Sequence, residues 1–267
     1  MKKVWFHLAV LLVLTVFFFY GAFLSPCDPV LPSGASLEPP SGAHLLGTDN
    51  LGIDIYAQIS AGFFRSMMIG LTTAALTFLL GGGLGITAGY LGGWVDHSVS
   101  FLINVLLSIP QLPVMIVIGA FFGQSTWNII WIIALFSWAP IAKQLRAKTI
   151  SIRGAPYIRL ARSFGGSHWY VIVRHMLSDL MPLLTVNSIG VIGAAIVQES
   201  SLAFLGLSDP LAKSWGLMIA RARGFQGIFF TDFWKWWLLP PVFALICSTL
   251  CLRMLAKALE SVWLKER

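Results

Sequence analysis

Residues 63–90 read FFRSMMIGLTTAALTFLLGGGLGITAGY. This run carries one charge, Arg65 at its start, and is longer than the roughly 20 apolar residues that cross about 30 Å of hydrocarbon. It predicts a membrane-spanning helix. Gly81, Gly82, Gly83, Gly85 and Gly89 crowd one side of it. Small residues let helix backbones approach where hydrophobicity no longer drives association, and glycine-rich helices also line transport pathways; the spacing admits both readings.

Outward from this run, the whole chain has the same character. Of 267 residues, 57% are hydrophobic and 11% charged, with a mean hydropathy of +0.80. Soluble domains carry about 25% charged residues, so this chain needs lipid as part of its solvent. Apolar runs predict six spans, near Val4–Leu24, Phe63–Tyr90, Val95–Phe122, Thr126–Leu145, Leu180–Leu205 and Trp236–Leu255. The fold class is therefore an all-α integral membrane protein with six transmembrane helices. Trp5, Trp94, Trp127, Trp215, Trp234, Trp236 and Trp237 fall near span ends, where an amphipathic ring suits the headgroup region. Pro110 and Pro113 interrupt the third run, which predicts a kinked or broken helix of the kind that lines translocation pathways.

The chain divides into a first span (1–24), an external loop rich in Pro, Gly, Ser and Asp (25–61), a core of five further spans (62–260) and a tail (261–267). Within the core, 146–179 is a polar cytoplasmic loop. The Lys2–Lys3 start and apolar run resemble a signal peptide, but no small-residue cleavage site precedes Pro26, so the run reads as a retained span. The formal charge of +7 does not indicate nucleic acid; in a membrane chain its distribution matters. With both termini cytoplasmic, Lys2, Lys3, Lys143, Arg146, Lys148, Arg153, Arg159, Arg162, Arg174, Arg253, Lys257, Lys265 and Arg267 fall inside. Arg65, Lys213, Arg221, Arg223 and Lys235 fall outside, the asymmetry expected of the positive-inside rule.

Residues 155–179, APYIRLARSFGGSHWYVIVRHMLSD, are too polar to span. They predict two short helices, Tyr157–Phe164 and Trp169–Leu177, divided by Gly165 and Gly166. Ile158, Leu160, Ala161 and Phe164 offer an apolar side, and Arg159 and Arg162 a basic one. Such a helix suits either a cytoplasmic partner or an anionic lipid surface.

This segment resembles the coupling loop of ABC importer permeases, specifically the binding-protein-dependent peptide/nickel permease family, where it commonly reads Y-x-E-A-A-R-x-x-G-A-S-x-W-x-I-x-x-R-H-x-L-P. Tyr157, Ala161, Arg162, Gly165, Ser167, Trp169, Arg174, His175 and Leu177 match. Arg159 stands in place of the Glu, Leu160 of the first Ala and Ser178 of the Pro. His44–Asp54 (HLLGTDNLGID) resembles the family's H-x-L-G-T-D-x-x-G-R-D, with Ile53 replacing Arg. Glu199–Ser208 (ESSLAFLGLS) resembles E-x-x-L-S-F-L-G-L-G, Ser214–Met218 resembles S-W-G-x-M, and Leu252–Glu260 weakly resembles L-R-D-x-L-D-P.

The resemblance implies the type I ABC importer permease fold in a prokaryotic cytoplasmic (inner) membrane. Tyr157, Ala161, Arg162, Gly165, Trp169, Arg174 and His175 would couple the spans to an ATPase. It also implies two cytoplasmic ATP-binding subunits, a second homologous permease forming a heterodimer, an extracytoplasmic solute-binding protein, and ATP and Mg held by partners rather than by this chain. The chain has no G-x-x-x-x-G-K-[ST] phosphate loop, in keeping with this division. Arg162, Arg174 and His175 fit both loop anchoring and ordinary cytoplasmic charge. The cargo implied is nickel, a metal chelate or a short peptide, and the short external loop leans toward the metal branch.

Gln198 and Glu199 close an apolar run and face either the pathway or the loop that follows. His44, Asp49 and Asp54 could meet a metal, but turn-forming roles for Asp are commoner, so no metal or other cofactor is expected on this chain. Cys27, Cys247 and Cys251 form no disulfide or zinc spacing. A membrane enzyme would need H-E-x-x-H, G-x-S-x-G or paired intramembrane aspartates, and none appears. A stand-alone channel or secondary transporter would need intramembrane charge or a filter motif, and the spans are nearly bare of both.

Overall fold

A computed structural model describes residues 2–263, and the expected tail beyond residue 263 lies outside them, with Lys265 and Arg267. Among the described residues the chain is helical, without a named strand. Helix α1 is Lys2–Phe19, extended by a wider-wound turn, Tyr20–Leu24. An irregular segment then leads to α2, Ile55–Leu91, whose 37 residues reach about 55 Å at 1.5 Å per residue. Asp54 caps its start by accepting from the Ala57 N–H, and Gly92 ends it at φ +70°. The external loop therefore stops at Asp54: residues 55–61 are helix, because Gln58 buries its amide against Asp49 of the loop and Ser60 is buried beside Gly21 rather than in water.

The third run is broken as its prolines predict. Helices α3 (Gly93–Ser108) and α4 (Gln111–Phe122) meet at an angle of 92°. Ile109 is extended (ψ 134°), the conformation that a following proline imposes, and Pro110 opens α4. Helix α5, Thr126–Arg153, runs two turns past the expected Leu145, taking with it the first residues of the polar 146–179 loop.

The remaining helices are α6 (Pro156–Ser163), α7 (His168–Val171), α8 (Leu177–Phe204), α9 (Trp215–Gly224), α10 (Trp234–Trp237) and α11 (Leu239–Trp263). A wider-wound turn joins α7 to α8, so His168–Phe204 is one continuous helix. The expected separate helix Trp169–Leu177 is instead the first turns of that helix. The polar loop between α5 and α8 shrinks to α6 and its two flanking turns.

Helices α2 and α5 form the most extensive contact and run parallel. A Cβ placed on Gly81, Gly85 or Gly89 would lie 2.9, 2.6 or 2.7 Å from the carbonyl oxygens of Trp138, Ala142 and Arg146. Both series advance by one turn per step, so the two backbones touch along their length. Gly82 faces Leu184 of α8 and Gly83 faces open space, so close packing accounts for most of the glycine cluster. Asp96 of α3 clamps Arg146 through paired hydrogen bonds, the Nη2–Oδ2 one at 2.7 Å, beside the last of these contacts.

The ends of α2 orient everything else. Its first turns meet Trp215 of α9, whose Nε1–H donates to the Ile59 carbonyl at 3.0 Å. Its last turn meets Arg153, which donates to the Tyr90 carbonyl, and His168, whose ring is 5.6 Å from Tyr90. Helix α1 packs its start against Leu255 and Ala258 of α11 and its end against Tyr56. The described start of α1, the end of α11 and α6 thus share the far end of the bundle.

Gly85→Val is expected to cost about 1–3 kcal/mol, the usual penalty of overpacking, because the added carbons meet backbone that cannot rotate away. Gly83→Ala, in open space on a helix, is expected to gain about 0.5–1 kcal/mol. Thermal melting of the detergent-solubilised protein followed by size-exclusion fluorescence reads both.

Candidate functional site

At the α6 end, Pro156 starts the short helix at a position where its missing N–H costs nothing. Gly165 ends the turn at φ +82°, a backbone that a side chain would strain. Ser167 caps α7 by accepting from the Tyr170 N–H at 3.1 Å. Arg162 fastens the turn, donating to the Gly166 carbonyl at 2.9 Å and approaching His168 Nε2 at 3.3 Å. Tyr157 donates to Asp179 Oδ2 at 2.6 Å, tying α6 to the first turn of α8. The Tyr157 and Arg162 contacts with Asp179 and His168 fix how α6 stands on the span beneath it.

The expected single apolar side of α6 is split. Ile158 is buried, and Ala161 half-buried, in a cluster with Ile86, Tyr90, Leu145 and Val171. Leu160 and Phe164 point the other way, because four residues on a helix return to one face while Ile158 sits about 200° from Leu160. Phe164 is 88% exposed and Trp169 73%. Tyr157, Leu160 and Phe164 thus make an outward aromatic and aliphatic face on a polar end of the molecule. Of the other residues expected here, Arg174 is exposed, and His175 is half-buried with its ring 5.5 Å from Tyr170. Arg159, in place of the common Glu, is exposed.

The opposite end gathers the other motifs. Asp49 accepts from the Leu51 and Ile53 N–H groups and from Gln58 Nε2, so it folds the 44–54 turn onto α2. Gly216 sits where a Cβ would lie 2.4 Å from Ser200 Cα, which docks α9 on the end of α8. Glu199 is 1% exposed and faces Ser200 and Ser214, the residue that caps α9. It is enclosed by the protein on the loop side. On the same rim, burial and then the neighbouring Arg221 hold the Lys213 ammonium below the usual lysine range.

Gln198 goes elsewhere. It lines a groove of about 650 Å³ along α5, α8 and α11 together with Gln111, Asn187, Arg253, Lys257 and Glu260. Pro110 adjoins the groove through Gln111, whereas Pro113 is exposed in the first turn of α4 and Glu199 lies away from the groove. The four pathway candidates therefore do not form one site. Sequence reasoning missed Gln111, Asn187, Arg253, Lys257 and Glu260 as groove residues. The signal was available for Asn187, which stands three turns before Gln198 and so on the same face of α8.

A profile of the binding-protein-dependent transport system inner membrane components matches residues 81–263, which include the α6 segment, the groove and α9. The chain belongs to this family. It is an ABC importer permease subunit, a transport component rather than an enzyme, and a multi-pass protein of the cytoplasmic membrane. It is 31% identical to the probable D,D-dipeptide transport system permease of Escherichia coli (strain K12), over 81% of this chain and 73% of the relative. A glutathione transport system permease of Pectobacterium atrosepticum is 33% identical, over 79% of this chain and 71% of its own length. An oligopeptide transport system permease of Mycobacterium bovis is 31% identical over 95% and 87%.

In this permease the Tyr157–Asp179 bond is the simplest test of how α6 is held. Tyr157→Phe removes the hydroxyl alone and is expected to cost about 0.5–1.5 kcal/mol locally. Faster amide hydrogen exchange across 156–163, with α2 unchanged, is the expected readout.

Proposed function

We propose that this chain is one half of a membrane gate that imports short peptides delivered by an external binding protein. The observation that carries the reading is the outward face of Tyr157, Leu160 and Phe164 on a helix whose other side is locked into the span core. An exposed apolar face of this kind suits a protein partner, and an ATPase subunit that closes on ATP supplies one. Two such subunits would grip this chain and a second, homologous permease. Because α6 is tied to α5, α7 and α8, movement of the ATPase would be passed on as rigid-body rocking of spans.

The topology follows the same reading. Counting the bent α3–α4 pair as one crossing gives six, with both termini and α6 on the cytoplasmic side. The basic asymmetry of the loops supports that orientation. In the groove, amide side chains of Gln111, Asn187 and Gln198 stand with charges of both signs, Arg253, Lys257 and Glu260. That lining suits a zwitterion with a peptide backbone better than a bare cation. The relatives named for dipeptide, glutathione and oligopeptide transport favour the same cargo class.

The test is ATP-driven uptake of a labelled dipeptide into vesicles holding the whole complex. Phe164→Asp and Gly165→Arg are expected to abolish uptake and co-purification of the ATPase, with membrane insertion unchanged. Gln198→Leu is expected to lower uptake about tenfold, the effect of a lost hydrogen bond of about 1.4 kcal/mol, while the ATPase stays bound. Unchanged uptake and association in the first two variants would overturn the reading.

A further inference from the structure

The fold brings Cys27 to His44 and Asp54, a residue absent from the motif that carries the other two. A ligand atom from each lies within 4.8 Å of the others. His44 and Asp54 are 6% and 2% exposed, and Cys27 is half-buried with a free thiol. We propose that these three residues bind a borderline divalent transition-metal ion, of the zinc or cobalt class, where the segment before α2 begins.

The donor set fits that class. Thiolate, imidazole and carboxylate are the usual ligands of zinc, at about 2.0–2.3 Å. Tetrahedral ligands of that reach stand about 3.5 Å apart, so small movements would close the present spacing around an ion. The carboxylates already divide their labour. Asp54 Oδ1 accepts from the Ala57 N–H at 2.8 Å as the helix cap, leaving Oδ2 to meet His44 Nδ1 at 2.8 Å. Glu38 Oε1 accepts from the Ala35 N–H at 3.2 Å, leaving Oε2 facing His44 Nε2 at 3.9 Å.

An ion between Nδ1, Oδ2 and the Cys27 sulfur would replace the proton in the His44–Asp54 hydrogen bond. That proton moves to Nε2, toward Glu38, so the imidazole stays neutral. A carboxylate behind a ligating histidine is the common outer partner that fixes its tautomer. The only net proton released is the Cys27 thiol's, so affinity falls as pH falls. Gly34 makes room for the outer pair: a Cβ there would lie 2.6 Å from His44 Nε2 and 3.0 Å from Glu38 Oε2. An imidazolium held between two carboxylates would explain His44 and both acids, but it gives Cys27 no part. The thiol is what points to a metal. With three protein ligands, the fourth tetrahedral position is open to water or to a donor from solution.

The site links the end of the first apolar helix, Leu24, to the cap of α2, independently of cargo and of the ATPase. The test uses the purified full chain in detergent, titrated with Co²⁺ and then Zn²⁺. A stoichiometric thiolate-to-cobalt charge-transfer band with tetrahedral d–d bands is expected, bleached by Zn²⁺. Cys27→Ser should abolish the charge-transfer band, Glu38→Gln should weaken cobalt binding, and Cys247→Ser should change nothing. Zn²⁺ should also protect Cys27 from a maleimide. Absence of the band, or its survival in Cys27→Ser, would overturn the assignment. Because the exchange at Cys27 is near-isosteric, it decides the matter without disturbing the His44–Asp54 hydrogen bond.

Discussion

Inside a bilayer, helices gain nothing by hiding apolar side chains from one another, since lipid is as apolar as leucine. They associate where backbones can come close, and in this protein that happens along α2 and α5. Gly81, Gly85 and Gly89 lie directly on the carbonyls of Trp138, Ala142 and Arg146. The Asp96–Arg146 clamp adds α3 at the end of the same seam. Because the two helices are parallel and long, their rigid contact joins the motif-rich end at Ile55 to the α6 end at Arg153.

That seam explains why the chain can act as a lever. At one end, α2 carries the Asp49 turn, the Asp54 cap and the floor on which Trp215 rests. At the other, Tyr90 and Arg153 hold the base of α6. Force applied to Phe164 meets a helix bonded through Tyr157 to α8 and packed through Ile158 on α2 and α5. Little in that connection can bend locally. The 92° break between α3 and α4 at Pro110 lies beside the polar groove, where irregular backbone in membrane proteins is tolerated.

Much of this was legible in the residues. Long apolar runs located the helices because hydrocarbon thickness sets their length, and Pro110 marked the break because proline dictates its neighbour's conformation. Helix ends were less legible. Ile55–Ala61 looked like loop because Gln58 and Ser60 are polar, yet Gln58 spends its amide on Asp49, nine residues back along the chain and outside the helix that a linear pattern would search. Gly165 and Gly166 correctly marked a turn, but the polar stretch after them stays helical since Arg174 and Ser178 face outward while Val171, Met176 and Leu180 are buried. Asn187 could have been found from its helical spacing to Gln198, but Cys27 and the groove residues of α5 and α11 needed three-dimensional contacts between distant segments. The family motifs supplied function where hydropathy had left lipid surface and protein partner equally open.

The most direct measurement places a photoreactive phenylalanine analogue at position 164 in the assembled transporter, with the same analogue at Phe121 near the opposite end as a control. Adducts to the ATPase subunit are expected from position 164 and not from 121. Adducts from position 164 to lipid alone, in a complex that retains its ATPase, would contradict the view that α6 is the surface through which the gate is driven.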